Sequence, residues 1–478
     1  MASCMREFIR SRRSTAPKAR FVADARSARF VDYAALDSAC EVWARELDAR
    51  GVSAGARVLV DVEDPLAFAV VHLSVIAAGR CSAPVDPGAP RVEADRFRAV
   101  LRPVLVVSDR VERGGVLVTG EGLPAAVSPV GPPTGHGPGS VVLLTSGSTG
   151  APKAVELTEA QLLHVAGAVA RHHGLTAGDR GYNPLPLFHI NAQVVGLLAT
   201  LVSGAELVLD RRFHRTGFWS MLVERDVTWV NAVPAILTIL SRSDVPVVPS
   251  GLRFLRSASA PLSLVVRELV TARTGVPVVE SYGMTEAASQ ITATPLDGPF
   301  RHGSVGRPVD VEVEVVDDAG APCPADVVGR VRIRGAGVIG GYVGGVAADR
   351  FDVDGWLDTS DVGRFDADGF LYLAGRADDV VNRGGELVYP REVEEVLLGE
   401  PDVVEAVVVA RPDDVLGEVP VAFVRGIDDG ALVERLVARC AERLARFKRP
   451  AEIRLVESFP LGPTGKVRRT VLRDRLGV

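Results

Sequence analysis

The chain has 478 residues, of which 47% are hydrophobic and 24% charged, so its length predicts about two to four domains with sizeable cores. A net charge of −6, from 54 basic and 60 acidic residues, gives no support to a nucleic-acid-binding protein. The sequence contains no apolar run of about 18 residues, so a membrane-spanning helix is not predicted, and the N-terminus lacks the pattern of a secretory signal. The five cysteines are scattered and form no CxxC pair, which argues against a disulfide framework or a structural zinc site and favours a reducing cytoplasm.

The first ~370 residues alternate short apolar runs with amphipathic stretches. The runs predicted as strands are VVLLT (141–145), AELVL (205–209), VTWV (227–230) and PVVE (277–280). One helix is predicted to begin at Thr158, with Gln161 at capping-box spacing, and to end before Gly174, and another covers 234–241. Strands alternating with helices predict α/β layers around a largely parallel sheet.

The pattern changes after about residue 305. The runs 311–316, 329–335 and 370–375 alternate with period two, which predicts a small antiparallel or β-barrel-like unit. The last ~100 residues predict a separate α+β domain: a helix from Pro390, a strand at 403–410, a helix near 430–446 and a strand near 453–456. The joining segment GRADDVVNRGG (375–385) is polar and flanked by glycine, which is compatible with a hinge, although its composition alone favours a surface hairpin.

The most informative motif follows the strand at 141–145. It holds Thr145, Ser146, Gly147, Ser148, Thr149 and Gly150, followed by Lys153. Glycines allow close approach of an anion, hydroxyls and N–H groups donate to phosphate oxygens, and the lysine adds positive charge. The spacing does not match a Walker loop. The alternative is an ordinary Ser/Gly turn, but six small polar residues after a buried strand favour phosphate binding.

With four further motifs, this loop resembles the adenylate-forming enzymes, which include acyl-CoA synthetases, peptide-synthetase adenylation domains and firefly luciferase, and most closely the small-acid CoA ligases. The motifs are TSGSTGAPK (145–153), LPLFHINAQ (185–193), ESYGMTEAA (280–288), GWLDTSDVGRFDADGFLYLAGRADDVVNRGGE (355–386) and PLGPTGKVRR (460–469). The resemblance implies an N-terminal domain over 1–376 and a mobile C-terminal domain over 377–478. It also implies two half-reactions: a carboxylate attacks ATP with Mg²⁺ to give an acyl-adenylate and pyrophosphate, and the thiol of coenzyme A then displaces AMP.

The resemblance also assigns residues to these steps. The catalytic candidates are Lys466, Thr145, Glu286 and His189. The ATP-binding candidates are Thr145, Ser146, Gly147, Ser148, Thr149, Lys153, Ser259, Ala260, Pro261, Glu280, Ser281, Tyr282, Gly283, Met284, Thr285, Asp361 and Arg376.

Five of these candidates have specific implied roles, each with a plain structural alternative. Glu286 would be the magnesium ligand rather than a helix N-terminal acid. Tyr282 would stack on adenine rather than fill a core. Asp361 would accept the ribose hydroxyls rather than close a turn, and Arg376 would reach ribose or phosphate rather than solvent. Lys466 would bridge the attacking carboxylate and the α-phosphate rather than lie solvated in the tail.

The second half-reaction would need a rotation of the C-terminal domain. The resemblance makes Asp378 the hinge. The coenzyme A candidates are Gly384, Gly385, Glu386, Arg446 and Lys448. For the basic residues among them, a solvated helix end is an equally good reading.

The acyl pocket candidates are Phe188, His189, Asn191, Asn231, Ser257 and Gly283. His189 is read as a wall between the acyl pocket and the thiol channel, with a buried core histidine as the alternative. Segment 188–192 lacks the aspartate of amino-acid-activating relatives, and Ser289 stands where oxalate ligases carry a histidine. Short aliphatic, dicarboxylic and aromatic acids stay open, as do an unusual oxyanion as substrate, a carrier-protein thiol or another nucleophile as acceptor, and a monomer or dimer. The presence of Lys153, Glu286, Asp361 and Lys466 argues against a catalytically inactive binding protein.

Overall fold

A computed structural model describes residues 4–126, 137–145, 153–461 and 467–476. The described part is a mixed α/β protein, as the sequence predicts. No helix in it is long and apolar enough to cross a membrane. All five cysteines lie in the described ranges and are free thiols.

The largest sheet is mostly parallel. Its strands run, edge to edge, in the order Arg307–Pro308, Thr292–Ala293, Val278–Tyr282, Phe254–Ser257, Trp229–Ala232, Arg180–Asn183, Glu206–Leu209, Arg20–Asp24 and Phe30–Asp32. The pairs from Val278–Tyr282 through Arg20–Asp24 are parallel, and the strands added at the two edges are antiparallel. Parallel strands put all their carboxyl ends at one edge, where ligands bind in sheets of this class.

A second sheet packs with helices into the same core. Its order is Val116–Leu117, Leu105–Ser108, Arg57–Asp61, Cys81–Pro84, Ser140–Thr145 and Lys153–Thr158. Only the last pair is antiparallel, and it brings the two ends of the Ser/Thr/Gly motif side by side, with Thr145 opposite Lys153. This hairpin fixes the base of the predicted phosphate loop.

The antiparallel unit predicted after residue 305 is confirmed. Its strands are Glu312–Val316, Gly329–Arg334, Leu357–Phe365 and Leu371–Arg376, paired in that order as one row. The C-terminal sheet contains Glu386–Val388, Val381–Arg383, Gly417–Gly426, Val403–Asp413 and Glu452–Leu455. Val381–Arg383 and Glu386–Val388 form a hairpin, so the second half of the 375–385 segment follows the hairpin reading.

Helices cover the faces of these sheets. The α-helices are Met5–Thr15, Tyr33–Ala49, Pro65–Ala77, Arg91–Leu101, Glu159–His172, Ala199–Ser203, Phe218–Glu224, Pro234–Ser241, Leu264–Thr274, Pro390–Leu398, Leu432–Arg443 and Arg469–Asp474. A π-helix covers Ala192–Leu198, and short 3₁₀ turns include Val111–Arg113, Thr285–Ala287, Ala348–Arg350, Ala377–Asp379 and Arg446–Lys448.

Two predicted helices agree closely with the structure. Thr158 and Gln161 form the reciprocal capping box, with the Gln161 N–H donating to Thr158 Oγ1 at 3.3 Å and the Thr158 N–H donating to Gln161 Oε1 at 2.9 Å. The helix at 234–241 begins with proline at its first position, where the missing N–H removes no helical hydrogen bond. The strand predicted at 227–230 begins two residues later, at Trp229.

Candidate active site

The Ser/Thr/Gly motif enters the site through its two described ends. The Thr145 hydroxyl donates to the Lys153 carbonyl at 3.3 Å across the hairpin. Predicted residues Ser146, Gly147, Ser148, Thr149 and Gly150 lie outside the described residues, as does Lys466. The hairpin therefore fixes the backbone position of Lys153, and the contacts of its ammonium group show which residues surround it.

Tyr342 connects this lysine to the predicted magnesium ligand. Lys153 Nζ lies 5.3 Å from the centre of the Tyr342 ring, a cation–π contact. The Tyr342 hydroxyl donates to Glu286 Oε1 at 2.8 Å and accepts a hydrogen bond from Arg350. Burial and then the Glu286 carboxylate raise the pKa of Tyr342, which keeps its hydroxyl a donor. Sequence reasoning did not include Tyr342 or Arg350.

Glu286 fits a magnesium site whose other ligands come from a nucleotide and water. It is buried in the turn after the strand Val278–Tyr282, and Arg350 lies 3.8 Å from its Oε1. The described ranges contain no group of three or more His, Cys, Asp or Glu side chains that could hold a metal alone. Magnesium keeps several waters and binds through one or two carboxylates plus phosphates, so a single carboxylate suffices. The turn is a short 3₁₀ segment and not the N-terminus of an α-helix.

Tyr282, Asp361 and Arg376 form a second cluster of predicted ATP-binding residues. The Tyr282 hydroxyl donates to Asp361 Oδ2 at 2.5 Å, and Arg376 lies 3.4 Å from Oδ1. Burial and then the Asp361 carboxylate raise the pKa of Tyr282. Asp361 lies inside the strand Leu357–Phe365 and pairs with Arg376 across the sheet, so it does not close a turn. Antiparallel pairing of the last two strands of the four-stranded sheet thus brings Asp361 and Arg376 together.

Between these clusters, the backbone at Gly283 lies against the backbone at Ser289. A side chain at Gly283 would place its Cβ 1.4 Å from the Ser289 carbonyl oxygen, so only glycine fits there.

The remaining ATP-binding candidates differ in their surroundings. Glu280 is paired with Arg267 at 2.8 Å, and burial raises the pKa of this carboxyl while Arg267 opposes the shift. Ser259 has a φ of 74° and is exposed together with Ala260 and Pro261. Ser281 is buried, while Met284 and Thr285 are half-buried.

The acyl pocket candidates meet around a buried amide network. Asn231 Nδ2 donates to Asn183 Oδ1 at 2.9 Å and to Asn191 Oδ1 at 3.0 Å, and Asn191 Nδ2 reaches Ser259 Oγ at 3.5 Å. Phe188 and His189 lie beside it in the chain, half-buried, with ring centres 4.4 Å apart. Ser257 is buried on the adjacent strand. The structure thus connects Asn191 and Asn231 directly.

Arg256 is the main residue of this network that sequence reasoning missed. Its guanidinium donates to the carbonyl oxygens of Asn231, Asn191 and Gln290 at 3.2, 3.3 and 3.3 Å, and its side chain is 1% exposed. Burial lowers the pKa of Arg256 to about 9, so the group still carries its charge at neutral pH. The only sequence signal was an arginine inside a run otherwise typical of a buried strand.

The coenzyme A candidates are brought together in the C-terminal part. Gly384 and Gly385, with φ of 63° and 92°, form the exposed turn of a hairpin, and Glu386 follows. Arg383 donates to the Phe447 carbonyl at 2.8 Å, which joins this turn to the Arg446–Lys448 turn. Lys448 Nζ lies 2.7 Å from Glu392 Oε1, so its charge is already paired.

The predicted hinge lies in the Ala377–Asp379 turn. The Asp378 carbonyl accepts from Arg473 at 3.4 Å, and Asp379 is paired with Arg473 at 2.9 Å and with Arg469 at 3.4 Å. Both arginines belong to the final helix, which follows the PTGK motif. Leu461 and Val467, the described residues on either side of Lys466, pair with each other. The hinge and the base of the C-terminal tail are therefore in contact.

Tyr342→Phe should lower the free energy of unfolding by about 1–2 kcal/mol, because it leaves the buried Glu286 carboxylate without its hydroxyl donor. Urea unfolding followed by fluorescence measures this difference. Tyr389→Phe is the matched control, since Tyr389 is half-buried and no hydrogen bond of its hydroxyl occurs in the described structure. Equal losses in the two variants would contradict the role given to the Tyr342 hydroxyl.

Comparison with known proteins shows that this chain is similar in sequence to a family of enzymes. The AMP-binding enzyme family matches residues 10–343, and the C-terminal domain of AMP-binding enzymes matches residues 392–466. A sulfoacetate–CoA ligase from Cupriavidus necator is 40% identical over 73% of this chain and 69% of its own length. An oxalate–CoA ligase from Arabidopsis thaliana is 36% identical over 70% of this chain and 67% of its own length.

Solved structures share the fold along nearly the whole chain. The O-succinylbenzoate coenzyme A synthetase from Bacillus subtilis, solved in complex with ATP and magnesium ion, superposes with a TM-score of 0.84. The two chains are 26% identical, and the match covers 98% of this chain and 99% of the other. The resemblance read from the motifs is therefore confirmed: this chain belongs to the family of AMP-binding enzymes.

Proposed function

We propose that the protein is an AMP-forming acid–thiol ligase. It activates a small carboxylic acid with ATP, releasing pyrophosphate, and transfers the acyl group from the adenylate to coenzyme A, releasing AMP. The relatives named as CoA ligases support this activity, and their names refer to small acids. The similar structure holding ATP and magnesium supports both as participants.

One observation carries the proposal beyond family membership. Three motifs far apart in the chain meet through Lys153, Tyr342 and Glu286 on one side and through Tyr282 and Asp361 on the other. A nucleotide between these clusters would find cations for phosphate, a carboxylate for a metal and a carboxylate for ribose. Charged groups gathered from three separate motifs around Tyr282 and Glu286 are typical of a functional site rather than of a core built only for stability.

In the adenylation step, Thr145 to Thr149 and Lys153 bind the β- and γ-phosphates, and Thr285 donates to phosphate. Tyr282 stacks on adenine, while Asp361 and Arg376 hold the ribose side. Glu286 would hold the magnesium ion, which supplies positive charge to the phosphates when bound. Lys466 stabilises the charge that develops as the acid attacks the α-phosphate.

In the thioester step, the C-terminal domain turns about Asp378. We place the domain boundary between residues 376 and 377, which agrees with the antiparallel strand ending at Arg376. Gly384, Gly385 and Glu386 line the path of the pantetheine arm, and Arg446 and Lys448 meet the phosphates of coenzyme A. His189 forms the wall beside the acyl group.

Coenzyme A, rather than a carrier-protein thiol, is the acceptor that we propose. The relatives described as CoA ligases favour it, and the exposed Gly384–Gly385 turn leaves backbone open to a thin pantetheine chain. The cytoplasm is the proposed location, because five free thiols fit a reducing compartment.

The test is a panel of small acids incubated with ATP and magnesium, with and without coenzyme A. We expect acid-dependent pyrophosphate release, and thioester formation only when coenzyme A is present, both detected by mass spectrometry and a coupled pyrophosphate assay. Adenylate formation with no thioester product would redirect the proposal to another acceptor. Absence of pyrophosphate release with every acid would exclude the ligase activity.

A further inference from the structure

A row of polar side chains crosses the carboxyl ends of adjacent parallel strands. Asn183, Asn231 and Arg256 occupy neighbouring strands, and their register places them on one face of the largest sheet. Ser281 lies two residues beyond Val279, the partner of Arg256 on the next strand, and so shares this face. Trp229 and Phe254, two residues earlier on their strands, are buried on the same face. The face therefore changes from apolar to polar where the strands end.

No carboxylate among the described residues balances the charge at the centre of this row. Arg256 forms no ion pair with any carboxylate in the described ranges, and its three acceptors are neutral amide oxygens. The nearby Glu280 carboxylate is already paired with Arg267. Burial of an unpaired charge is costly, and buried charges in folded proteins are normally paired. Arg256 therefore lacks the partner that such a position normally has.

The same place also holds unused hydrogen-bond donors. Within the described structure, Arg256 Nε, Gln290 Nε2 and Ser281 Oγ are buried and have no hydrogen-bond partner. The first two belong to side chains that are 1% and 3% exposed, and the third to a side chain of a residue that is 8% exposed. Gln290 Oε1 accepts from Arg256, and its amide N–H₂ has no acceptor among the described residues. A cation with surrounding unused N–H and O–H groups is the donor set of an oxyanion site.

The network ties this site to the proposed acyl pocket. Asn191 accepts from Arg256 and reaches Ser259, one of the residues proposed to border the nucleotide. Asn191 follows Phe188 and His189 and precedes the π-helix Ala192–Leu198, a rare element that often occurs at functional sites. An acid whose reacting carboxylate lies at the nucleotide would extend its other end toward Arg256.

We propose that Arg256 binds a second anionic group of the substrate, so that the preferred substrates are short acids with a carboxylate or sulfonate opposite the reacting carboxylate. This inference rests on the ligase activity proposed above and names the class of acid for that site. Arg256 supplies the charge, and Ser281 and Gln290 supply neutral donors. The amide oxygens of Asn191 and Asn231 keep the guanidinium in place.

The test compares acids that differ only in the charge of the far end. The pairs are malonate with monomethyl malonate, succinate with monomethyl succinate, and sulfoacetate with methylsulfonylacetate. In the wild-type enzyme, kcat/KM for coenzyme A thioester formation should be on the order of 100-fold higher for a charged member than for its neutral match. The sulfonate and carboxylate pairs identify which oxyanion is preferred. Equal values within every pair would overturn the inference while leaving the ligase activity intact, whereas no product from any acid would be a failure of the activity itself.

Three variants, one of them a control, separate binding from a structural role. Arg256→Gln should bring the charged-to-neutral ratio close to one, whereas Arg253→Gln, at an arginine just before the same strand that is paired with Asp179, should keep the wild-type ratio. Gln290→Glu places a carboxylate beside Arg256 in exchange for an amide N–H₂ that binds nothing in the described residues. It should raise the thermal midpoint and also reduce the ratio at least tenfold. A higher midpoint with an unchanged ratio would mean that Arg256 is only structural, and would overturn the proposal.

Discussion

Lys466→Ala should reduce acid-dependent ATP–pyrophosphate exchange by about 10²–10³-fold while ATP still binds. In the proposed mechanism, this ammonium acts on charge that develops only as the carboxylate attacks phosphorus, whereas Lys153 and the serine- and threonine-rich loop hold the nucleotide before the reaction. Radiolabel exchange measures the first quantity, and isothermal titration with ATP measures the second. The chain has only four lysines, so few other ammonium groups are available to substitute.

Two further variants define the chemical requirement at this position. Lys466→Arg keeps the charge but replaces a compact ammonium by a planar guanidinium, and we expect it to recover only part of the exchange rate. Lys18→Ala removes an exposed lysine from the N-terminal part and should leave exchange unchanged. Near-normal exchange in Lys466→Ala would show that the tail lysine has no part in adenylation.

Asp378→Pro should leave adenylation largely intact and suppress thioester formation by about 10²-fold or more. Proline fixes φ near −65°, close to the value of a 3₁₀ turn such as Ala377–Asp379, and prevents the large backbone change that a hinge requires. Pyrophosphate exchange reports the first half-reaction, and the coenzyme A product measured by chromatography reports the second. Loss of the second half-reaction without loss of the first is expected only if the backbone at residue 378 changes conformation between the two steps.

Asp378→Ala is the matched control for the backbone effect. It removes the same carboxylate but keeps φ free, so both half-reactions should proceed at rates close to those of the unmodified enzyme. If the alanine variant lost thioester formation as the proline variant does, the side chain rather than the backbone would be responsible. If the proline variant kept both steps, the hinge would lie elsewhere.

The sequence predicted the elements whose signals are local. The helix beginning at Thr158 carries its own capping residues, and the helix at 234–241 begins with proline, so both could be placed to within about a residue. The strand predicted at 227–230 begins two residues later in the structure, because Val227 is buried before the strand begins. Apolar runs report burial, while strand limits depend on pairing with neighbours that the sequence does not name.

The parts of the site that depend on long-range contact were less predictable. Tyr342 and Glu286 are separated by 56 residues, and no local pattern links them. Asp361 resembles a turn residue because it follows Thr359 and Ser360, yet it pairs within a strand. The sequence did not indicate a functional role for Arg256, because arginine is usually exposed. Only the three-dimensional structure shows that its hydrogen-bond partners are amides rather than carboxylates.

The ion pairs of Asp379 with Arg469 and Arg473 have a mechanical consequence for the tail. They join the first residue after the proposed hinge to the last helix, so a rotation about Asp378 would carry that helix with it. Lys466 is three residues before Arg469, a reach of at most about 10 Å. In the proposed mechanism, the rotation that opens the thiol channel therefore also withdraws Lys466 from the adenylation site, so both changes occur in one movement.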